Sequence, residues 1–337
     1  MRIGLSYDLK KAVSLGAVHP EDALEEYDSP ETVDRIAAAI RARGHDVVML
    51  GGGKGFLHRI LHERVDLVFN IAEGLGNHRS REAQVPSVLE MLGIPYTGSD
   101  PECLAICLDK PLAKILLRTA GVPTPEWRVI QDVQELHRTK WDRFPFPCFV
   151  KPAYEGSSKG IRLASRAENS QDIVRLATTV LSAYDQPILV EEFIAGAEVT
   201  VGVGGSPVRI IGTMRVLPRG SHDPNFVYSL EVKRDWKNVV SYECPARLPA
   251  ITMRQICRAS LKVFEVLGCR DIARIDFRVD LRGRPHVLEV NPLPGLCPGY
   301  SDLPMLAERS GHTYDELIGL ILDSALRRQH LCLAASA

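Results

Sequence analysis

Two short alternating segments, Arg274-Ile-Asp-Phe277 and Leu288-Glu-Val-Asn-Pro292, flank the turn Leu281-Arg-Gly-Arg284. Ile275, Phe277 and Val279 alternate with Arg274, Asp276, Arg278 and Asp280, and Leu288 and Val290 alternate with Glu289 and Asn291. That is the period of half-buried strands. A hairpin with a two-residue turn at Arg282-Gly283 would set Asp276 directly across from Glu289. Facing carboxylates repel unless a cation sits between them. Asp, Glu and Asn oxygens are ligands that Mg²⁺ takes, usually together with phosphate oxygens. The pattern therefore points to a metal–nucleotide site. The competing reading is a surface hairpin with its acids in solvent. The Asn-Pro-Leu-Pro-Gly295 run weighs against it, because it fixes backbone beside the acids.

Other residues extend the theme. Pro145 to Pro152 reads as a strand carrying Lys151, followed by Ala153-Tyr-Glu-Gly-Ser-Ser-Lys-Gly160 and then strand-like Ile161-Arg-Leu163. The backbone of Gly156, Ser157, Ser158 and Gly160 is suited to wrap an anion at a hairpin tip. Gln186 to Ile194 is an apolar strand ending in Glu191 and Glu192, and Glu198 heads the next strand. Such carboxylates can accept from ribose hydroxyls or an adenine amine. Gly51-Gly-Gly-Lys-Gly55 imitates a phosphate loop but lacks the Lys-Ser/Thr ending and a helix cap, so a flexible loop is expected there.

The positioning elements follow. Met1 to Tyr7, His45 to Leu50 and Val65 to Asn70 read as strands, with a helix from Pro30 to about Arg43 capped by Ser29. This alternation predicts a doubly wound parallel sheet over roughly the first hundred residues. Pro101 to Thr119 reads as one helix, and Ala325 to Ala337 as a fraying tail. The 337 residues suffice for two or three domains. A net charge of −1 gives no footing for nucleic-acid binding, and no apolar stretch approaches a membrane span of about 20 residues. The start is too quickly polar for a signal peptide. Eight cysteines are scattered without a CxxC pair, which reads as a cytoplasmic chain with buried free thiols at Cys103 and Cys107.

Taken in order, Leu108-Asp-Lys110, Phe149-Val-Lys-Pro-Ala153, Glu155-Gly-Ser-Ser158, Leu189-Val-Glu-Glu-Phe-Ile194, Glu198, Arg274-Ile-Asp276, Glu289-Val-Asn291 and Pro294-Gly295 resemble the ATP-grasp carboxylate–amine ligases. Within that superfamily the chain is most similar to D-alanine–D-alanine ligase, from about Glu73 to Arg327. The resemblance implies an α/β, three-domain ATP-grasp fold: a Rossmann-like N-terminal domain over 1–102, a central subdomain over 103–187 and a C-terminal subdomain over 188–330. It implies amide formation through an acyl phosphate, with ATP and two Mg²⁺ (or Mn²⁺), on small amino-acid or amine substrates, often in a homodimer.

Residue by residue, the resemblance assigns Lys110 and Lys151 to the ATP phosphates. Glu155, Gly156, Ser157 and Ser158 belong to a loop closing over them. Glu191, Glu192, Phe193 and Ile194 go to the adenine pocket and Glu198 to the ribose. Asp276, Glu289 and Asn291 are the metal ligands. Arg274, Ser157, the Gly295 amide and Lys233 serve the reacting groups, and Ser301 binds the second amino acid's carboxylate.

Three stretches depart from the family. The loop after the third strand reads Glu73-Gly74 and then Asn77 to Glu82, where the family has His-Gly and Glu-Asp-Gly. The mobile loop keeps Lys233 but puts Arg234 at the usual tyrosine. The stretch from Asn291 to Ser301 is one residue longer than in the family and carries Cys297-Pro-Gly-Tyr300. The glutamate that holds the first substrate's amine has Glu26, Asp28 and Glu31 as candidates. Glu73, Arg81, Arg234 and Ser301 are thus the expected substrate contacts, with Arg79, Arg81 and Arg234 suited to an extra anion or to surface ion pairs. Three functions stay open: a ligase for another acid and amine, a D-alanine–D-alanine ligase proper, and a nucleotide-binding regulator without catalysis.

Overall fold

In this computed structural model, which describes residues 1–13, 19–221 and 223–331, Ser29 opens the first helix as its sequence predicts. Its Oγ accepts from the Thr32 N–H at 3.3 Å, and Pro30 occupies the first turn of α1 (Pro30–Ala42). Strands β1 (Arg2–Ser6), β2 (Asp46–Gly51) and β3 (Leu67–Asn70) form a parallel sheet in the order β2-β1-β3. One face packs Ile3 and Leu5 against Ile36 and Ile40 of α1. The other packs Leu50 and Val68 against Phe56 and Ile60 of α2 (Gly53–Ile60) and Leu89 of α3 (Gln84–Leu92). Helices on both faces make this the expected doubly wound unit. The glycine run at 51–55 is not a free loop, because α2 starts inside it at Gly53.

The predicted helix from Pro101 to Thr119 is two helices, α4 (Pro101–Leu108) and α5 (Lys110–Thr119). Asp109 leaves the helical region at ψ 82, and its carboxylate caps α5 by accepting from the Leu112 N–H at 3.1 Å. The break turns Lys110 and Lys114 inward. Cys103 and Cys107 are buried, and their sulfurs gather with that of Cys269 within 4.8 Å of one another.

A four-stranded antiparallel sheet follows, ordered β4-β7-β5-β6: β4 (Trp127–Ile130), β5 (Cys148–Pro152), β6 (Arg166–Ala167) and β7 (Ile188–Glu192). The strand expected at Ile161 to Leu163 is instead a turn. Ile161 N–H donates to Ser158 O, and Ser165 Oγ accepts from Arg162 N–H and donates to Gly160 O, so the hairpin's return strand starts at Arg166. β7 pairs with β4 and β5, so a boundary at 187/188 splits this sheet; the break lies between Glu192 and Gly196. The third sheet, antiparallel, runs β10-β9-β8-β11-β12: β8 (Gly196–Gly204), β9 (Arg209–Pro218), β10 (Val240–Glu243), β11 (Ile272–Asp280) and β12 (Pro285–Asn291).

Cores do not follow the sequence order. Leu117 and Val122 pack with Val199, Ile275 and Phe277 of the third sheet. The helix Tyr314–Arg328 returns to the first sheet, where Leu317, Ile318 and Ala325 join Ile3 and Ile36. The supposed tail from Ala325 is therefore this helix's buried last turn, while Cys332 and the rest of 332–337 lie outside the described residues.

Candidate active site

Asp276 faces Glu289 across β11 and β12, and Arg274 faces Asn291. The pairing is as expected, but the route to it is not. The turn is longer than Arg282-Gly283: Asp280 N–H donates to Arg284 O and Gly283 N–H to Asp280 O, both at 2.9 Å. Gly283 takes φ +80°, which suits glycine. Beyond the turn Phe277 pairs with Val287, and continuing that register would set Asp276 opposite Leu288. A bulge absorbs Leu288 and restores Asp276 to Glu289. It also turns Leu288 onto the same cavity as Glu289, against simple alternation.

Three donors hold Asp276: Arg274 Nη2 at 2.9 Å, Thr200 Oγ1 at 2.9 Å and Asn291 Nδ2 at 3.1 Å. Burial raises its pKa, Arg274 opposes this and Glu289 adds to it. Glu289 differs. Burial would raise it too, but Lys110, Lys151 and Arg274 together hold it down at about 2. Lys110 Nζ lies 3.7 Å and Arg274 Nη2 3.9 Å away, and no described side chain donates a hydrogen bond to its carboxylate. It is an ionised buried acid with open lone pairs.

Two cavities meet at this hairpin. The first, about 100 Å³, lies between the second and third sheets and is lined by Lys151, Ser158, Glu191, Glu192, Phe193, Ile194, Glu198, Asp276, Leu288 and Glu289. Lys151 Nζ donates to Glu191 Oε2 at 2.6 Å, and Lys114 contacts the other oxygen. Burial pushes Glu191 up, and the two lysines overcome this and hold it below the ordinary carboxylate range. Glu198 pairs with Arg278 Nη1 at 3.2 Å, while Arg278 Nε donates to Ile194 O at 2.9 Å. The Arg166 and Arg278 guanidinium carbons stand 4.7 and 4.9 Å from the Phe193 ring centre. Lys110 sits behind the lining and bonds Glu155 O. Glu155 is tied back as well, to Gln186 Nε2 at 2.7 Å, Arg81 Nη2 at 3.2 Å and Lys159.

The second cavity, about 160 Å³, is lined by Glu26, Asp28, Glu73, Glu82, Gly156, Ser157, Arg274, Asn291, Gly295 and Ser301. Tyr228, Lys233 and Asp302 line both cavities. The loop 156–158 straddles them, with Ser157 and Ser158 at φ +51° and +61°, a strained state for non-glycine residues and one concentrated at functional sites. A Cβ on Gly295 would come within 2.8 Å of Ser301 Oγ, so a side chain there would displace Ser301. Ser301 Oγ accepts from the Cys297 N–H at 3.1 Å.

Two expected substrate contacts lie elsewhere. Arg81 is 0% exposed, with its terminal nitrogens donating to Glu26 at 2.8 Å, Glu155 at 3.2 Å and Tyr154 O at 2.8 Å. It lines neither cavity. Arg234 lies outside both linings and pairs with Glu21 at 2.8 Å and Glu25 at 2.6 Å. Arg79 pairs with Asp109 at 3.3 Å. Of the three candidates for the amine-holding acid, Glu26 and Asp28 line the cavity, whereas Glu31 is exposed in the first turn of α1.

The model of the D-ala D-ala ligase C-terminus family matches residues 116–323. A D-alanine–D-alanine ligase from Aquifex aeolicus is 31% identical over 296 residues, covering 87% of this chain and 94% of that one. The chain belongs to the D-alanine–D-alanine ligase family. An uncharacterized protein of Sinorhizobium fredii, y4sG, is 34% identical over 304 residues, covering 88% of this chain and 87% of that one. The crystal structure of D-alanine–D-alanine ligase from Bacillus anthracis complexed with ATP superposes with a TM-score of 0.76 at 24% identity, covering 98% of each chain. That agreement in fold is ATP-grasp, as the motif order implied.

Within this D-alanine–D-alanine ligase family member, the donor set fits a hard divalent cation. Asp276, Glu289 and Asn291 offer oxygens on one sheet face, and the open lone pairs of Glu289 are what a cation would satisfy. Sequence reasoning missed Lys114, Arg278, Thr200, Tyr228 and Asp302. Lys114 follows Lys110 at helical spacing and Arg278 continues the Arg274-Asp276 alternation, so both left a signal. Tyr228 comes from an irregular segment and Asp302 from the first turn of the helix Asp302–Arg309, and neither left a signal.

Proposed function

We propose that this protein is an ATP-dependent ligase that joins the carboxyl of one small substrate to the amine of another. The observation that carries the reading is the pair of cavities meeting at Asp276, Glu289 and Arg274. ATP occupies the first cavity, with its phosphates toward Lys151 and Ser158; the substrates occupy the second. A carboxylate is a poor electrophile, and transfer of phosphate to it supplies a leaving group that an amine then displaces. Two Mg²⁺ ions, or Mn²⁺, held by Asp276, Glu289 and Asn291 supply charge neutralisation between the anions.

The chain's own groups do the rest. Lys151 and Lys110 offset phosphate charge. The loop 155–158 covers the phosphates and excludes water, with Ser157 toward the reacting carboxylate. Arg274 and the Gly295 amide face the oxyanion, Lys233 spans the shared wall, and Ser301 takes the second substrate's carboxylate. Glu191, Glu192, Phe193 and Ile194 frame the adenine and Glu198 the ribose. Family resemblance further supports a cytoplasmic homodimer, and no helix among the described residues is long and apolar enough to cross a membrane.

The test is coupled ADP release with ATP, Mg²⁺ and pairs drawn from an amino-acid panel, followed by product mass determination. Release with an acid–amine pair supports the reading, and its absence with every pair overturns it. Relatives named D-alanine–D-alanine ligase favour a second reading, in which D-alanine fills both positions. Turnover with D-alanine as the sole amino acid separates the two.

A further inference from the structure

The second cavity contains a charge imbalance that the ligase chemistry leaves unused. Of its acids, Glu26 is neutralised by Arg81 at 2.8 Å and Lys159 at 3.0 Å, and Glu25 by Arg234 at 2.6 Å. Asp28, Glu73 and Glu82 have no hydrogen bond or ion pair to a described side chain, and all three line the cavity. Glu82 is only 9% exposed, so water does little to screen it. Burial, and after it repulsion from Glu82, Glu26 and Asp28, pushes the Glu73 carboxyl well up, so a cation entering here would be met by groups that gain by ionising. Glu73 also stands where the family resemblance leads us to expect a histidine, placing a carboxyl group there instead of an imidazole. Unpaired carboxylates aimed into one cavity are costly in the empty protein and favourable once cations enter.

We propose that the second cavity selects a substrate with more than one ammonium group, a diamino acid being the simplest. One ammonium is the α-amine; the other is a side-chain cation received by Glu73 and Glu82, with Asp28 nearby. The inference rests on the ligase reading and adds the charge class of its substrate.

The experiment compares length-matched pairs in the ADP-release assay with the full-length protein: ornithine against norleucine and diaminopropionate against aminobutyrate, each in D and L forms. The diamino member is expected to have about 10- to 100-fold higher kcat/KM, the range of a charged hydrogen bond. Glu82→Gln and Glu73→Gln should each collapse that ratio, with binding of an ATP analogue reporting that the variants are folded. Equal use of neutral and diamino substrates, or a preference that survives both variants, overturns the proposal. If no pair releases ADP, the ligase reading fails on its own. Calorimetric titration of ornithine and norleucine into the protein with an ATP analogue then decides the charge preference, and equal or absent binding of both overturns it.

Discussion

The two cavities handle buried carboxylates in opposite ways. In the first, Glu191 lies between Lys114 and Lys151, and Glu198 lies on Arg278. In the second, Asp28, Glu73 and Glu82 line the space with no partner among the described side chains. A buried charge is tolerated when the protein supplies its counter-ion, and otherwise waits for a ligand to do so. The first cavity is thus built in advance for one ligand shared by a whole family. The second leaves its electrostatics to be completed by whatever enters, which is how one fold takes different substrates.

The most severe way to break this contrast is to unpair the first cavity. Lys114 is 1% exposed and also donates to Thr124 Oγ1 at 2.6 Å. Lys114→Met leaves Glu191 with Lys151 alone and should cost about 3–5 kcal/mol of stability. Denaturant unfolding measures this, and a loss under about 1 kcal/mol would mean that Glu191 does not need both lysines. Arg274→Ala comes next. It removes a donor to Asp276 and the cation proposed to face the oxyanion, so kcat/KM should drop on the order of 10²–10³-fold while ATP-analogue affinity changes far less. A parallel loss of analogue affinity would show instead that Arg274 organises the first cavity.

How much of this was legible follows the same division. The hairpin acids, Lys151 and the strand Ile188–Glu192 announce themselves because strand periodicity fixes which face each residue takes. Even there the register came from a longer turn and a bulge that compensated, so Leu288 ended on the cavity side, where alternation did not place it. Arg81 is the opposite case. Its type and loop position suggested an anion receptor, and only the tertiary approach of Glu26, residues away in sequence, and Glu155 shows that it is consumed internally. The break at Asp109 was written in an N-cap residue followed by Lys-Pro, a signal that apolar periodicity through Pro101 to Thr119 concealed. Long-range charge pairing has no local signature, which is why the second cavity was the less readable half.

A smaller effect sharpens the contrast from the second cavity. Burial and Glu26 raise Glu82 to about 7, against the opposing pull of Arg81 and Lys110. An acid raised in the folded state stabilises while protonated and loses that contribution as pH rises from its ordinary value of 4.5 through about 7. Glu82→Gln should therefore match the parent near pH 4.5 and exceed it by about 1–3 kcal/mol at pH 8, since each tenfold in proton affinity is worth about 1.4 kcal/mol. Unfolding free energies at the two pH values check this. A variant less stable than the parent at pH 8 would show that Glu82 already has a counter-ion in the empty protein. Stability gained by the same change that loses diamino-substrate preference would mark the carboxylate as kept for its ligand.

The smallest expected effect concerns Arg234, which the resemblance sets where a loop tyrosine is expected. Its guanidinium bridges Glu21 and Glu25 at the surface, linking the short helix Leu230–Arg234 to the segment before α1. Exposed pairs of this kind contribute little to stability, because water screens them and two long side chains must be held still. Arg234→Ala should leave the unfolding midpoint nearly unchanged at physiological ionic strength. The bridge does join two segments that both border the second cavity, since Glu25 and the neighbouring Lys233 line it. Its loss should thus appear as a rise in substrate KM of a few-fold or less, fading as salt is added, because screening already weakens the pair. A drop in kcat that persists in high salt would mean that Arg234 reaches the reacting groups, moving it from the rim into the cavity and reversing its assignment as a surface bridge.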